Sequence, residues 1–179
     1  RKYAHPNAGG IFWFGVDDAA TSLYVPMYCN ITKVPECYKE GNGDLYTFSQ
    51  TSAWWTFNIV ANWAYTKYSA MKPDIMRVQQ MWEEQFAAQI PVIDEKVANM
   101  TKEQANEFLT NYSCSQAEKS TKAWSELGIY LFVKYLDGQQ RKEHNGQFLR
   151  NEWGVPEGPN RIPFPEDYLR KIAPEISHE

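Results

Sequence analysis

Residues 9–29, which read GGIFWFGVDDAATSLYVPMYC, decide how the first part of the chain folds. An apolar, aromatic run over residues 9–16 leads into Asp17 and Asp18, and a second β-rich run covers residues 22–28. This order predicts a strand, a bend and a second, antiparallel strand. Adjacent carboxylates are costly to bury unless they are hydrogen-bonded or paired. The bend is therefore the best candidate in the sequence for contact with a polar ligand.

Helical patterns dominate after residue 52. Apolar residues recur at helical spacing from Ala53. Asn58 and Asn62 lie four residues apart on one face of this helix. They are interpreted either as hydrogen-bonded amides in the core or as residues that bond the sheet edge or a ligand. Thr101 to Gln104 forms a capping-box pattern. Four helices are predicted, over residues 53–65, 73–100, 101–113 and 115–136. The second has Pro73 in its first turn and is kinked or ended by Pro91, and the fourth ends at Asp137-Gly138. The fold class is thus α+β and helix-rich, with short antiparallel N-terminal strands followed by about four helices.

Two less regular segments complete the organisation. Residues 45–48 predict either a short third strand or an extended entry to the first helix. Composition changes at residue 139, where a proline-rich tail, 139–179, begins after the main region, 1–138. The stretch VPEGPNRIPFPEDY predicts no regular structure. The tail is expected to dock on the surface through four apolar side chains: Trp153, Ile162, Phe164 and Tyr168.

Composition narrows the function classes. The chain has 179 residues and a net charge of −4, and it lacks a basic cluster, so nucleic acid is not an expected partner. No apolar run is long enough to span a bilayer. His5, His144 and His178 are far apart and no cysteine pair has metal-binding spacing, so neither a metal nor a cofactor is expected.

The cysteines leave two alternatives open. Cys29 and Cys37 are eight residues apart around Pro35, and this spacing is compatible with a disulfide. Buried free thiols are the equal alternative, and Cys114 is left over in either case. Because a disulfide requires an oxidising compartment, the pattern favours a secreted or periplasmic protein over a cytoplasmic one.

Three stretches resemble a known family: WFGVDDAATSLYVPMYC, ITKVPECY and GNGDLYTFSQTSAWWTFNIVANWAYTKYSAM. They look like the C-terminal part of a bacterial cysteine dipeptidase family in the N-terminal-nucleophile hydrolase superfamily, over about Gly9 to Gly138. The resemblance implies that the parent protein is an αββα sandwich. It also implies a catalytic cysteine at the mature N-terminus. The chain begins Arg1-Lys2-Tyr3 and none of its cysteines matches that position. We therefore expect a portion of a dipeptidase that lacks its nucleophile and is inactive alone, without catalytic residues of its own.

The resemblance also suggests how a dipeptide would be bound. Its ammonium group needs carboxylates or hydroxyls, and the candidates are Asp17, Asp18, Ser22 and Tyr24. Adjacent residues of a strand point to opposite faces, so only one of the two aspartates is expected to face a given pocket. The alternative is that both aspartates end a strand and cap a turn.

Two other classes of function compete with the dipeptidase hypothesis. One is a free-standing module in which aromatic and acidic side chains bind a peptide or glycan. The other is a structural or oligomerisation domain built from the helices. The expected partners are a dipeptide or short peptide substrate, the missing N-terminal half of the same protein and a second copy of the chain.

Overall fold

A computed structural model of the 179-residue chain describes residues 4–172. The chain divides into two compact units, Arg1–Phe132 and Val133–Glu179, whereas the sequence predicted a boundary at residue 139. The predicted helix-rich α+β class is confirmed: the described residues contain four α-helices and six short strands. The αββα sandwich of the parent stays a prediction. None of the described helices is long and apolar enough to cross a membrane.

The first unit begins with the predicted hairpin. Strands β1 (Ile11–Phe14) and β2 (Val25–Tyr28) pair antiparallel, with Ile11 opposite Tyr28 and Phe14 opposite Val25. Both strands are shorter than the predicted runs, because residues 15–24 form the connecting turn. All four residues of β2 are buried. The backbone N–H of Tyr28 donates to Ser113 Oγ at 3.2 Å, so β2 lies against the helical layer.

The helical layer is built from three helices: α1 (Ala53–Thr66), α2 (Tyr68–Ala98) and α3 (Lys102–Tyr135). The predicted start of α1 at Ala53 is confirmed. Phe57 of α1 stacks on Trp124 of α3, with ring centroids 5.0 Å apart and planes 11° apart, and both side chains are buried. Residues 45–48 form a turn among the described residues, so the third strand suggested there is absent. The α1–α3 packing fixes the position of α1 under the hairpin turn.

Helix α2 corrects the prediction for Pro73. The helix starts at Tyr68, so Pro73 lies inside it, as does Pro91, which does not end it. An internal proline costs about 3 kcal/mol. Along α2, apolar side chains at helical spacing are buried, including Ile75 and Phe86, and this burial outweighs the two lost backbone hydrogen bonds.

Helix α3 corrects a second prediction. Its capping box is confirmed: Thr101 N donates to Gln104 Oε1 at 3.1 Å, and Gln104 N donates to Thr101 Oγ1 at 3.3 Å. The predicted break near residues 111–113 is wrong, because α3 is continuous to Tyr135. Polar side chains here bond to neighbouring segments: Thr110 Oγ1 accepts from Thr32 N at 3.0 Å, and Ser113 accepts from β2. These contacts use hydroxyls that would otherwise compete with helix formation.

The second unit contains two small antiparallel pairs. Strands β3 (Gln139–Gln140) and β6 (Asn160–Arg161) pair, as do β4 (Glu143–His144) and β5 (Gln147–Phe148). Helix α4 (Glu166–Ile172) follows. The prediction that residues 155–168 lack regular structure is therefore wrong in part, because β6 gains a partner strand and the Pro165 carbonyl accepts from two N–H groups at the start of α4. The docking of the tail stays a prediction, and residues 173–179, including His178, lie outside the described residues.

Candidate functional site

The loop between β1 and β2 is organised by Asp18. Its two carboxylate oxygens accept hydrogen bonds from Ala20 N at 3.3 Å and from Thr21 Oγ1 at 3.0 Å. The backbone N–H of Thr21 also donates to the Asp18 carbonyl at 3.2 Å. These contacts are the side-chain turn that aspartate favours. The alternative prediction, a carboxylate that caps a turn, therefore describes Asp18 well.

Asp17 has a different environment. Its φ of 64° places it in the left-handed region, which L-residues other than asparagine and aspartate seldom occupy. Its side chain is exposed, and Oδ1 accepts a hydrogen bond of 3.0 Å from Asn58 Nδ2 of α1. Among the described residues, no donor lies on the other carboxylate oxygen. Asp17 thus presents an ionisable oxygen to solvent while one neighbour orients it.

Asn58 is itself oriented by the next turn of α1. Asn62 Nδ2 donates to Asn58 Oδ1 at 2.9 Å and to the Asn58 carbonyl at 2.8 Å. Because Asn58 Oδ1 accepts from Asn62, the amide nitrogen of Asn58 is the atom that faces Asp17. The interpretation of these two residues as core amides is wrong, since both bonds lie on the exposed side of α1.

Tyr65 completes this cluster from the same helix. Its hydroxyl lies near the Asp18 carboxylate, and the acceptor and negative charge of Asp18 raise the pKa of Tyr65. Its ring stacks on Tyr68 at a centroid distance of 6.1 Å. Residues 58, 62 and 65 lie on one face of α1, as their spacing requires. We call Asp17, Asp18, Asn58 and Tyr65 the acidic turn site.

This geometry corrects the expectation that the aspartates face opposite ways. That expectation assumed a strand, but β1 ends at Phe14 and the left-handed backbone of Asp17 breaks the alternation. The Asp17 carboxylate therefore contacts Asn58 of α1, and the Asp18 carboxylate lies close enough to Tyr65 of α1 to raise its pKa. The sequence missed Tyr65 because its partner lies 47 positions earlier, and helical periodicity gave it only an apolar role.

Ser22 and Tyr24, the other two predicted binding residues, lie apart from this cluster. Ser22 is buried, and its hydroxyl donates to the Val16 carbonyl at 2.7 Å. Tyr24 is partly exposed and its ring lies against Gly15, where an added Cβ would approach it to 3.1 Å. Both side chains therefore shape the turn in this structure. Their binding role stays a prediction.

The three cysteines are free thiols in this structure, which corresponds to the second of the two alternatives for Cys29 and Cys37. The environments of the two residues differ: Cys29 is exposed beside Gly10, whereas Cys37 is buried, with its N–H donating to Glu118 at 3.1 Å. Burial, followed by the nearby Glu118 charge, raises the pKa of Cys37 to about 12. Burial also raises the pKa of Cys114. Cys37 is therefore protonated at neutral pH and is a poor nucleophile.

A second concave feature lies between α1 and α3, and we call it the α1–α3 cavity. Its volume is about 710 Å³, within the usual range of small-molecule sites. One end is apolar and the other carries hydroxyls and charges. The lining residues are Phe48, Gln50, Thr51, Thr56, Ile59, Trp63, Glu118, Thr121, Lys122, Ser125, Gly128, Ile129 and Phe132. Sequence reasoning missed this cavity, because its walls come from segments about 60 residues apart.

Comparison with known proteins relates part of the first unit to a family of peptide hydrolases. Residues 1–81 match the model of Peptidase family C69, a span that includes the hairpin, the acidic turn site and α1. This match confirms, for that part of the chain, the resemblance to a cysteine dipeptidase family. No curated protein matches the chain.

Proposed function

We propose that this chain is part of a cysteine dipeptidase whose nucleophile is a cysteine outside the chain. The match to a peptidase family over residues 1–81 supports peptide hydrolysis by the parent protein. In this mechanism the nucleophile's own free α-amino group acts as the base. Each of Cys29, Cys37 and Cys114 has its nitrogen in a peptide bond. None of them can therefore provide both groups, and the chain alone is expected to be inactive.

The observation that carries the proposed role of this chain is the exposed carboxylate of Asp17. A dipeptide differs from an internal peptide segment by its free ammonium group, which a recognition site must pair with negative charge. Asp17 offers that charge, with Asn58 fixing the orientation of the carboxylate. Asp18 adds a second negative charge nearby, but its oxygens accept hydrogen bonds within the turn and lie near Tyr65. We infer that Asp17 binds the substrate ammonium and that Asp18 positions the turn.

The strained backbone of Asp17 agrees with this role. Residues held at unfavourable φ/ψ values cost about 1–3 kcal/mol and cluster at functional sites. Glycine would occupy the same conformation without strain. Aspartate tolerates this conformation and, unlike glycine, supplies a carboxylate there, and recognition of a cation is the use that its exposed oxygen supports.

The proposal is tested with the intact parent protein and with this chain alone. The intact protein should hydrolyse dipeptides, and a thiol reagent should abolish the activity by labelling a cysteine outside residues 1–179. Loss of activity that tracks labelling of Cys29, Cys37 or Cys114 would contradict the assignment of the nucleophile. Turnover by the pure 179-residue chain would contradict it as well.

The partner that we propose for this chain is the remainder of its parent. Large apolar side chains of the first unit are exposed, including Phe12 at 62% and Leu45 at 72%. Exposed apolar patches of this kind mark interaction surfaces. Sedimentation of the isolated chain should show self-association, and addition of the remaining half of the parent should replace it with a heterodimer. A monomer at high concentration that binds no apolar dye would count against this surface.

A further inference from the structure

The α1–α3 cavity has an apolar end that lacks a covering group among the described residues. Trp63 of α1 and Phe132 of α3 form its wall, with ring centroids 5.2 Å apart. Phe132 is 42% exposed, and Ile129, which also lines the cavity, is 64% exposed. These surfaces favour an apolar group of about the size of an aromatic or leucine side chain.

The other end of the cavity carries two opposite charges from successive turns of α3. Glu118 and Lys122 have the Glu-to-Lys order and the four-residue spacing that favour an ion pair on a helix. They do not pair with each other here. Glu118 accepts from Cys37 N at 3.1 Å, whereas Lys122 reaches Glu126 only at 4.0 Å, with both of those side chains mostly exposed. Each charge at the cavity mouth is therefore available to an opposite charge of a ligand.

Two further residues of α3 that line the cavity, Thr121 and Gly128, have features that favour ligand binding. Thr121 is 5% exposed, and its hydroxyl has no oxygen or nitrogen partner among the described residues, contacting only the Cys37 thiol. Gly128 lies inside the helix, where an added Cβ would meet Ile59 and Val60 at ordinary distances of 3.5 and 3.6 Å. Packing therefore does not require glycine at this position, although glycine weakens a helix. Its effect is to keep the cavity open.

We propose that the α1–α3 cavity binds a free amino acid with a large apolar side chain. The ammonium would face Glu118, the carboxylate would face Lys122, and the side chain would point along the cavity toward the apolar end formed by Trp63 and Phe132. The separation of charges along α3 and the apolar wall favour this chemistry over an uncharged apolar molecule, which would interact with neither charge. This site is distinct from the acidic turn site and does not depend on peptidase activity.

The test is a ligand-observed NMR titration of the 179-residue chain with L-phenylalanine. We expect saturable binding with a dissociation constant on the order of 1 mM. Phenethylamine and 3-phenylpropanoate each lack one charge and should bind about tenfold more weakly, since a charged hydrogen bond typically contributes at least a factor of ten. Lys122→Met should weaken phenylalanine binding about tenfold. Gly128→Met should fill the cavity and abolish binding, and circular dichroism should show that the variant keeps the wild-type helix content.

Two matched controls locate the bound ligand. Lys119→Met removes an exposed lysine of the same helix that does not line the cavity, and it should leave binding unchanged. Asp17→Asn removes the charge of the acidic turn site, and in that variant Lys122→Met should still weaken the phenylalanine binding that remains. Absence of saturable binding, equal binding of the singly charged analogues, or equal losses in the two lysine variants would overturn the proposal. Binding abolished by Asp17→Asn and unaffected by Lys122→Met would overturn it too, by placing the ligand at the acidic turn site.

Discussion

Replacing Asp17 separates the backbone cost of the acidic turn site from its charge. At a φ of 64° an L-residue pays about 1–2 kcal/mol, and asparagine and aspartate are the side chains that tolerate it best. Asp17→Ala pays this cost and also loses the hydrogen bond from Asn58, which contributes about 0.5–1.5 kcal/mol. We therefore expect the alanine variant to be destabilised by about 1–2.5 kcal/mol, less than the sum of the two terms because aspartate itself already bears part of the strain.

Asparagine and glycine at the same position should behave differently. Asp17→Asn keeps an acceptor for Asn58 and tolerates the left-handed backbone, so its free energy of unfolding should change by less than about 0.5 kcal/mol. Asp17→Gly loses the hydrogen bond but removes the strain, and the two effects offset each other to within about 1 kcal/mol.

The assay is urea unfolding of the 179-residue chain, followed by tryptophan fluorescence at pH 7. We expect the wild type, Asp17→Asn and Asp17→Gly to have similar free energies of unfolding, and Asp17→Ala to have clearly the lowest. An alanine variant as stable as the asparagine variant would refute the strain argument. Equal losses in alanine and glycine would show that only the side-chain contact matters.

Three other substitutions test separate parts of the structure. Gly128→Ala should raise the free energy of unfolding by about 0.5–1 kcal/mol, measured by urea unfolding, because alanine favours the helix interior and its Cβ fits. Thr101→Ala should lower it by about 0.5–2 kcal/mol through loss of the capping box, whereas Glu103→Ala at the neighbouring position should have a smaller effect. For Cys37, the folded pKa of about 12 lies above the ordinary 9.0, so the thiol's contribution is fully present below pH 9.0 and is lost as pH rises toward 12. The stability of wild type relative to Cys37→Ala should therefore fall over that range; a constant difference would contradict the burial of the thiol.

Local patterns predicted the elements that local chemistry controls. The hairpin followed from two β-rich runs around a polar bend, and α1 followed from apolar spacing after Ser52. The capping box from Thr101 to Gln104 is a four-residue signal, and the structure forms both of its hydrogen bonds. These features depend on neighbours within a few residues, which is the range that sequence reasoning covers.

Long-range contacts explain the predictions that failed. The polar residues near position 111 resemble a helix end when read alone. Ser113, however, accepts a hydrogen bond from the backbone N–H of Tyr28, which lies 85 positions earlier in the chain. Pro73 resembles a helix start, but burial of residues that follow it, such as Ile75, keeps it inside α2. The acidic turn site depends on one left-handed residue, Asp17, whose conformation no periodicity reveals. The α1–α3 cavity exists only after two helices pack.

The most direct test of the proposed recognition role compares two substrates with the intact parent enzyme. Asp17→Asn should lower kcat/KM about tenfold for a dipeptide with a free amino group, at the lower end of the range for a charged hydrogen bond because Asp17 is exposed. The N-acetylated dipeptide has no ammonium, so Asp17→Asn and the wild type should have the same kcat/KM for it. Asp18→Asn, the matched neighbour whose oxygens serve the turn, should not change the ratio of the two substrates. Equal losses of Asp17→Asn on both substrates, or no loss on either, would contradict the assignment of Asp17 to the substrate ammonium.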